Sequence, residues 1–305
     1  MTSWKASLPC TREEAERIAA GTPDFPGFDP PPVLMTSEPD PARPDEWRLD
    51  AYFEREPDAE ALRLLAALAP SASGEPRVEA LADQDWVTLS QQGLEPIRAG
   101  RFFVHTPACR GSAPADSVAL EIDAGRAFGT GQHETTAGCL EALERLRQAG
   151  LSFDNILDLG TGTGLLAFAA LRLWPQARAA ASDIDPVAIE VAAENAAVNG
   201  VAVGAVRGEV ELIAAPGLEH ERLEARAPYD LVIANILAGP LIELAPAVAE
   251  AMEAGGRLVL AGLLVGQAEA VATAYRRQGL TAVFRIDKGD WAILAMRKRK
   301  ALGWR

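Results

Sequence analysis

Ten residues, Asn155 to Gly164, read Asn-Ile-Leu-Asp-Leu-Gly-Thr-Gly-Thr-Gly, and no other stretch of the chain narrows its possible folds so far. A short apolar run passes directly into three glycines at alternate positions, and Leu165-Leu166-Ala167-Phe168-Ala169-Ala170 follows at once. This pattern predicts strand, tight loop, helix. Glycines at 160, 162 and 164 permit positive φ where the chain turns and offer no Cβ to hold a ligand off the backbone. The first amides of the helix have no intrahelical partner, so they are expected to face a ligand over the loop and to suit a carboxylate on it.

About twenty residues on, a second apolar run ends at Asp183, where doubly wound nucleotide-binding sheets carry an acid for ribose hydroxyls. Alternating glycines without such an acid can serve merely to tighten a turn, and Asp183 weighs further toward a nucleoside site. Dinucleotide-binding loops run G-x-G-x-x-G; here the third glycine comes one residue early and Leu165 takes its usual place. The spacing favours S-adenosyl-L-methionine, which has no pyrophosphate to cradle, over a nicotinamide cofactor.

A chain of 305 residues can form one large domain and one small one. It opens Met1-Thr2-Ser3-Trp4-Lys5, without the basic start and apolar core of a signal peptide, and has no apolar run of about eighteen residues that could span a bilayer. A cytoplasmic protein is expected. Cys10, Cys109 and Cys139 are odd in number and far apart, and His105, His133 and His220 are scattered, so neither disulfides nor a metal site are expected. The net charge of −14 argues against broad contact with nucleic acid and suits a basic protein partner, although acidity also simply aids solubility. The terminal run Arg297-Lys298-Arg299-Lys300 reads as a solvated basic tail, with contact to ribosomal RNA as the alternative.

The first eighty or so residues alternate strands and helices in the order βαββαβ of a small ferredoxin-like α+β unit. The strands are expected at Trp4–Leu8, Val33–Thr36, Trp47–Phe53 and Arg77–Leu81. Thr11 to Glu14 has the capping-box spacing, and Pro57-Asp58 opens a helix carrying Leu62, Leu65 and Leu68. Asp83 to Gln92 is expected to form a short connecting helix anchored by Trp86. Strands around Ile97, Phe102–His105 and Val118–Ile122 then begin the second domain.

A second glycine loop, Ala127-Phe128-Gly129-Thr130-Gly131-Gln132-His133-Glu134-Thr135-Thr136, leads into a helix whose Leu140, Leu143 and Leu146 face the core. Its composition suggests a lid over a ligand. Thr135 or Thr136 is expected to cap the helix, and His133 suits ligand contact and loop stabilisation equally. Further strands are expected at Ala179–Ser182, Val203–Arg207, Pro228–Asn235 and Gly256–Ala261, and Thr281–Ile286 with Trp291–Arg297 read as a closing hairpin. The run ending at Asn235 is apolar through its middle, as in a parallel sheet buried on both faces.

Asp158-Leu-Gly-Thr-Gly-Thr-Gly164, Asp183-Ile-Asp-Pro186 and the closing hairpin together resemble a seven-stranded, Rossmann-like S-adenosylmethionine-dependent methyltransferase. Ala127-Phe-Gly-Thr-Gly-Gln-His-Glu-Thr-Thr136 and Ala234-Asn-Ile-Leu-Ala-Gly-Pro-Leu241 narrow the resemblance to the family that methylates ribosomal protein L11 of the large subunit. It departs from the family pattern at Glu134, where proline is common, and after Trp86, where a second tryptophan is absent. The resemblance implies an α/β fold with a substrate-recognition domain at 1–82, a linker at 83–93 and a methyltransferase domain at 94–305. It implies cofactor contacts from Thr136, Gly160, Gly162, Asp183 and Asn235, with Asn235 also beside the reacting methyl group. It further implies methyl transfer to lysine or N-terminal amines of L11, free or on the ribosome, by a monomer without membrane or direct nucleic-acid contact. From the residues alone a different acceptor, protein or small metabolite, and a catalytically idle cofactor-binding module both stay open.

Overall fold

Residues 3–20, 25, 31–37, 47–53, 55–72, 74–81, 96–122 and 134–300 are described by the computed structural model. The chain divides into two units, Met1–Ser90 and Gln91–Arg305. The expected linker at 83–93, the connecting helix with Trp86, and the lid residues Ala127 to His133 lie outside the described residues.

The first unit runs β1 (Ser3–Cys10), α1 (Arg12–Ala20), β2 (Val33–Ser37), β3 (Trp47–Phe53), α2 (Ala59–Leu68) and β4 (Arg77–Leu81). Its antiparallel sheet has the order β2-β3-β1-β4, the ferredoxin-like arrangement that the βαββαβ sequence predicts. Alternate residues Ala6, Leu8, Leu49, Ala51 and Phe53 supply one buried face, and Ala15, Ile18, Ala61 and Leu65 of the helices join them in the core. The capping box forms: the Thr11 amide donates to Glu14 Oε2 at 2.8 Å and the Glu14 amide to Thr11 Oγ1 at 3.3 Å. Asp58 caps α2 by accepting from the amides of Glu60 and Ala61.

The second unit opens with a three-stranded sheet, β5 (Ile97–Ala99), β6 (Phe102–His105) and β7 (Val118–Glu121), followed by α3 (Glu134–Gln148). The main sheet then contains β8 (Asn155–Leu159), β9 (Arg178–Asp183), β10 (Ala202–Val203), β11 (Glu209–Ala214), β12 (Tyr229–Asn235), β13 (Met252–Leu264), β14 (Leu280–Lys288) and β15 (Trp291–Lys298). Their spatial order is β10-β11-β9-β8-β12-β13-β15-β14, and only β15 runs antiparallel to its neighbours. The chain winds outward from β8 to β11 and then returns to β12 on the other side of β8. This reversal of direction opens a crevice at the carboxyl ends of β8 and β12.

Both faces of the sheet are covered. One face carries α3, α4 (Leu165–Leu173) and α5 (Pro186–Val198), contributing Leu140, Leu143, Phe168 and Ala196 to its core. The other carries α6 (Glu221–Arg226), α7 (Ala238–Glu243), α8 (Ala245–Ala251) and α9 (Ala268–Arg277), with Leu223, Leu241, Val248, Val271 and Tyr275. In α4 every residue except Arg172 is buried, as an all-round apolar helix requires.

The expected third strand of this sheet is corrected. Only Ala202–Val203 pairs, as a two-residue edge strand that brings the sheet to eight, and the third main strand is Glu209–Ala214. Residues 204–208 turn instead: the Gly204 amide donates to the Val210 carbonyl, Gly208 has φ +81°, and Val206 is 63% exposed. β13 is longer than the expected Gly256–Ala261, running from Met252 to Leu264 with an irregular register beyond Leu260.

Candidate active site

The glycine loop is held from beneath by the strand beside it. The amides of Gly160 and Thr161 both donate to the Ser182 carbonyl, at 2.8 and 2.9 Å. Gly162 donates its amide to Asp183 Oδ2 at 2.8 Å. Asp158 Oδ2 accepts from Thr161 Oγ1 at 2.6 Å and from the Ala167 amide at 3.1 Å, while Asn195 Nδ2 on α5 donates to the Thr163 carbonyl at 3.1 Å. All three glycines have positive φ: +71°, +54° and +85°. A Cβ on Gly160 would lie 2.2 Å from Ile236 Cγ2, and one on Gly164 would lie 2.3 Å from Phe168 Cζ.

These bonds revise one expectation. The loop amides at 160, 161 and 162, and that of Ala167 in the first turn of α4, are satisfied within the protein, so they do not wait for an anion. A pyrophosphate would need such donors; a nucleoside without phosphates does not.

Above the loop lies a cavity of about 550 Å³, within the range that small-molecule sites occupy. Thr136, Gly160, Gly162, Asp183 and Asn235 all line it. Five residues spread over a hundred positions of sequence meet here because β8, β9 and β12 end at the same edge. Asn235 Nδ2 donates to Thr136 Oγ1 at 3.3 Å, and among the described residues its carbonyl Oδ1 makes no hydrogen bond. Thr135 and Thr136 do not cap α3, which begins one residue earlier at Glu134; both sit buried in its first turn. Nor does Asp183 cap α5. Asp185 does so by accepting from the Val187 amide, and Asp183 Oδ1 accepts from the Asp185 amide.

Several contributors were not singled out from sequence. Trp291, read only as the start of a strand, lines the cavity. Gly262 has φ +81°, and a Cβ there would approach the Ile236 carbonyl oxygen to 2.3 Å, so only glycine lets β13 pass so close to the turn after Asn235. A glycine inside an apolar strand pattern was the available signal. Asp158 is buried beneath the loop and, among the described residues, its Oδ1 has no partner; burial raises its carboxyl to about 6, opposed by the bonds from Thr161 and Ala167 and reinforced by Asp183.

The family model for ribosomal protein L11 methyltransferase (PrmA) matches residues 33–299. The chain belongs to the ribosomal protein L11 methyltransferase family. It is 45% identical over 251 residues to a ribosomal protein L11 methyltransferase of Brucella suis, covering 82% of this chain and 85% of that protein. It is 41% identical over 292 residues to the one from a Caulobacter species, covering 94% and 95%. Among solved structures, the ribosomal protein L11 methylase of Lactobacillus delbrueckii subsp. bulgaricus aligns with a TM-score of 0.57 at 26% identity, covering 68% of this chain and all of that one. Family membership makes the chain an S-adenosylmethionine-dependent protein methyltransferase of Rossmann-like fold.

The cavity fits that cofactor on its own terms. The glycine floor that a single Cβ would obstruct, the satisfied loop amides and the carboxylate of Asp183 at the rim suit a nucleoside without phosphates. Among the described residues no group of three or more His, Cys, Asp or Glu could hold a metal ion, and no helix is long and apolar enough to cross a membrane.

Proposed function

We propose that this protein transfers methyl groups from S-adenosylmethionine to lysine or N-terminal amino groups of ribosomal protein L11, free or on the ribosome, acting as a cytoplasmic monomer. The observation that carries this reading is the convergence of Thr136, Gly160, Gly162, Asp183 and Asn235 on one cavity in a chain of this family.

When bound, the cofactor supplies an electrophilic methyl group on a sulfonium. Asp183 holds the ribose hydroxyls: each carboxylate oxygen accepts one backbone amide and keeps capacity for another donor. Gly160 and Gly162 form the floor on which the methionine part rests. The incoming amine attacks only when neutral, whereas a lysine is ordinarily protonated at pH 7. Asn235 Oδ1 accepts a hydrogen bond from that nitrogen and aims its lone pair, and Thr136 fixes the amide through Nδ2. Alignment supplies most of the acceleration, since a misplacement of about an ångström can cost on the order of a hundredfold. The unit at residues 1–82 recognises the ribosomal protein, the segment at 83–93 links it, and 94–305 carries the chemistry.

The test is to incubate the purified protein with isotopically labelled cofactor and with L11, both free and on ribosomes from a strain lacking this methylation. Mass spectrometry should find label on L11 amines; label on another protein alone, or none, would reject the assignment. Asn235→Ala should lower kcat at least tenfold, and unchanged turnover would remove Asn235 from its role.

A further inference from the structure

Arg257 on β13 and Arg297 on β15 are direct cross-strand partners, so their side chains leave the same face of the sheet. Like charges placed opposite each other in this way are destabilising unless something offsets them. Among the described residues neither guanidinium has a carboxylate partner. Both Nε atoms are buried without a hydrogen bond, and Arg257 Nη1 donates to the Gly255 carbonyl at 2.8 Å. Among the described residues Nη2 of Arg257 and both terminal nitrogens of Arg297 make no hydrogen bond, and both side chains are half-buried. Burial first, and then Arg297, hold the Arg257 guanidinium below its ordinary pKa.

Charges of both signs lie at this end of the sheet, where Asp154 and Glu253 act on Asp230. Lys298 is spent on the carbonyls of Ala249 and Met252, at 2.7 Å each, but the exposed Lys300 lies against Gly255, with its Cε 3.2 Å from where a Cβ would stand. Asp230 forms no ion pair with either arginine among the described residues; its carboxylate accepts from the amides of Asp154 and Asn155 at 2.6 and 3.0 Å. Arg257 pairs with Leu231 near the start of β12, whereas Asn235 and Gly262 lie at the carboxyl ends. Five residues of strand, roughly 16 Å, separate Arg257 from the cavity edge.

We propose that the Arg257–Arg297 pair is an anion subsite for a phosphate group, at the opposite edge of the sheet from the methyl-transfer cavity. Two guanidiniums from paired strand positions can offer a phosphate more donors than a lone lysine would, and the anion offsets their repulsion. The net charge of −14 repels polyanions at long range, so the site acts locally, on one phosphate at a time. That phosphate comes either from free inorganic phosphate or from the phosphodiester backbone of RNA.

Thermal unfolding of the full chain in rising inorganic phosphate, against chloride at matched ionic strength, tests the subsite. Phosphate should raise Tm saturably, and Arg257→Gln and Arg297→Gln should each abolish the rise; an equal rise in chloride, or in the variants, overturns the proposal. A second measurement needs no variant: phenylglyoxal labelling read by mass spectrometry should show Arg257 and Arg297 protected by phosphate, and unchanged labelling overturns it. Fluorescence anisotropy with a labelled RNA hairpin separates the sources. Binding that weakens at least tenfold in Arg297→Gln and is displaced by phosphate identifies RNA, and stabilisation by phosphate without RNA binding identifies the free ion.

Discussion

The amide of Gly162 and the carboxylate of Asp183 are joined by a 2.8 Å hydrogen bond across 21 residues of sequence. It ties the glycine loop to the end of the neighbouring strand, and so fixes the floor of the cavity relative to its rim. The acid therefore shapes the loop as well as facing the ribose. Asp183→Ala removes two side-chain acceptors, for Gly162 and Asp185, and should cost about 1–3 kcal/mol of stability. Calorimetry should show cofactor affinity lower by at least tenfold, with a smaller loss in Asp183→Asn; unchanged affinity in the alanine variant would disprove the link.

Gly160→Ala meets two separate penalties. The left-handed backbone at φ +71° costs roughly 1–2 kcal/mol for an L-residue. Its Cβ also collides with Ile236 Cγ2. Urea unfolding should show the single variant destabilised by more than the backbone penalty, and in the Ile236→Ala background the same substitution should cost only that penalty. Equal costs in both backgrounds would mean that the collision is relieved by other movements.

Asp158 is the buried acid on which pH should act. Burial, despite the bonds from Thr161 and Ala167, raises its carboxyl to about 6 in the folded protein, against about 3.9 in an unfolded chain. The folded state therefore holds the proton more tightly. The stabilisation this gives is fully present below the unfolded value and is lost as pH rises toward 6. Carboxyl carbon NMR of the ligand-free protein, assigned with Asp158→Asn, should show a midpoint near 6, and cofactor binding should lower it, because a cationic ligand favours the ionised acid. A midpoint near 4 without ligand would contradict the raised value.

Asn199 closes α5 and reaches across to β7. Its Nδ2 donates to the Glu121 carbonyl at 2.7 Å and its Oδ1 accepts from the Glu121 amide at 2.9 Å, so one side chain imitates a paired strand. Asn199→Ala removes both of these hydrogen bonds to the Glu121 backbone and should lower stability by about 1–3 kcal/mol. Hydrogen exchange at the Glu121 amide should accelerate in the variant; unaltered exchange would show that water replaces the bond at no cost.

Much of this architecture was legible locally. Alternation identified the Trp47–Phe53 strand of the first unit, the Thr11–Glu14 spacing its first cap, and the glycine loop with Asp183 the nucleoside edge. The strand after Val201 was misread because Val203 and Val206 have strand-forming side chains, yet Gly204 and Gly208 turn the chain there and pairing begins only at Glu209. Thr136 was found as a site residue through resemblance, but its position inside the helix rather than at the cap depends on where α3 begins, which its own sequence does not specify.

The sequence by itself determined the periodicities, the turns that only glycine makes, and the chemistry carried to the end of each strand, because these follow from backbone sterics and nearest neighbours. Tertiary structure alone decided that Trp291 lines the same cavity as Asn235, that Ile236 closes over Gly160, that Asp158 is sealed away from water, and that Arg257 faces Arg297. Each of those depends on strand order and register, which are set by how the apolar faces of distant segments bury one another and so cannot be read from any one segment.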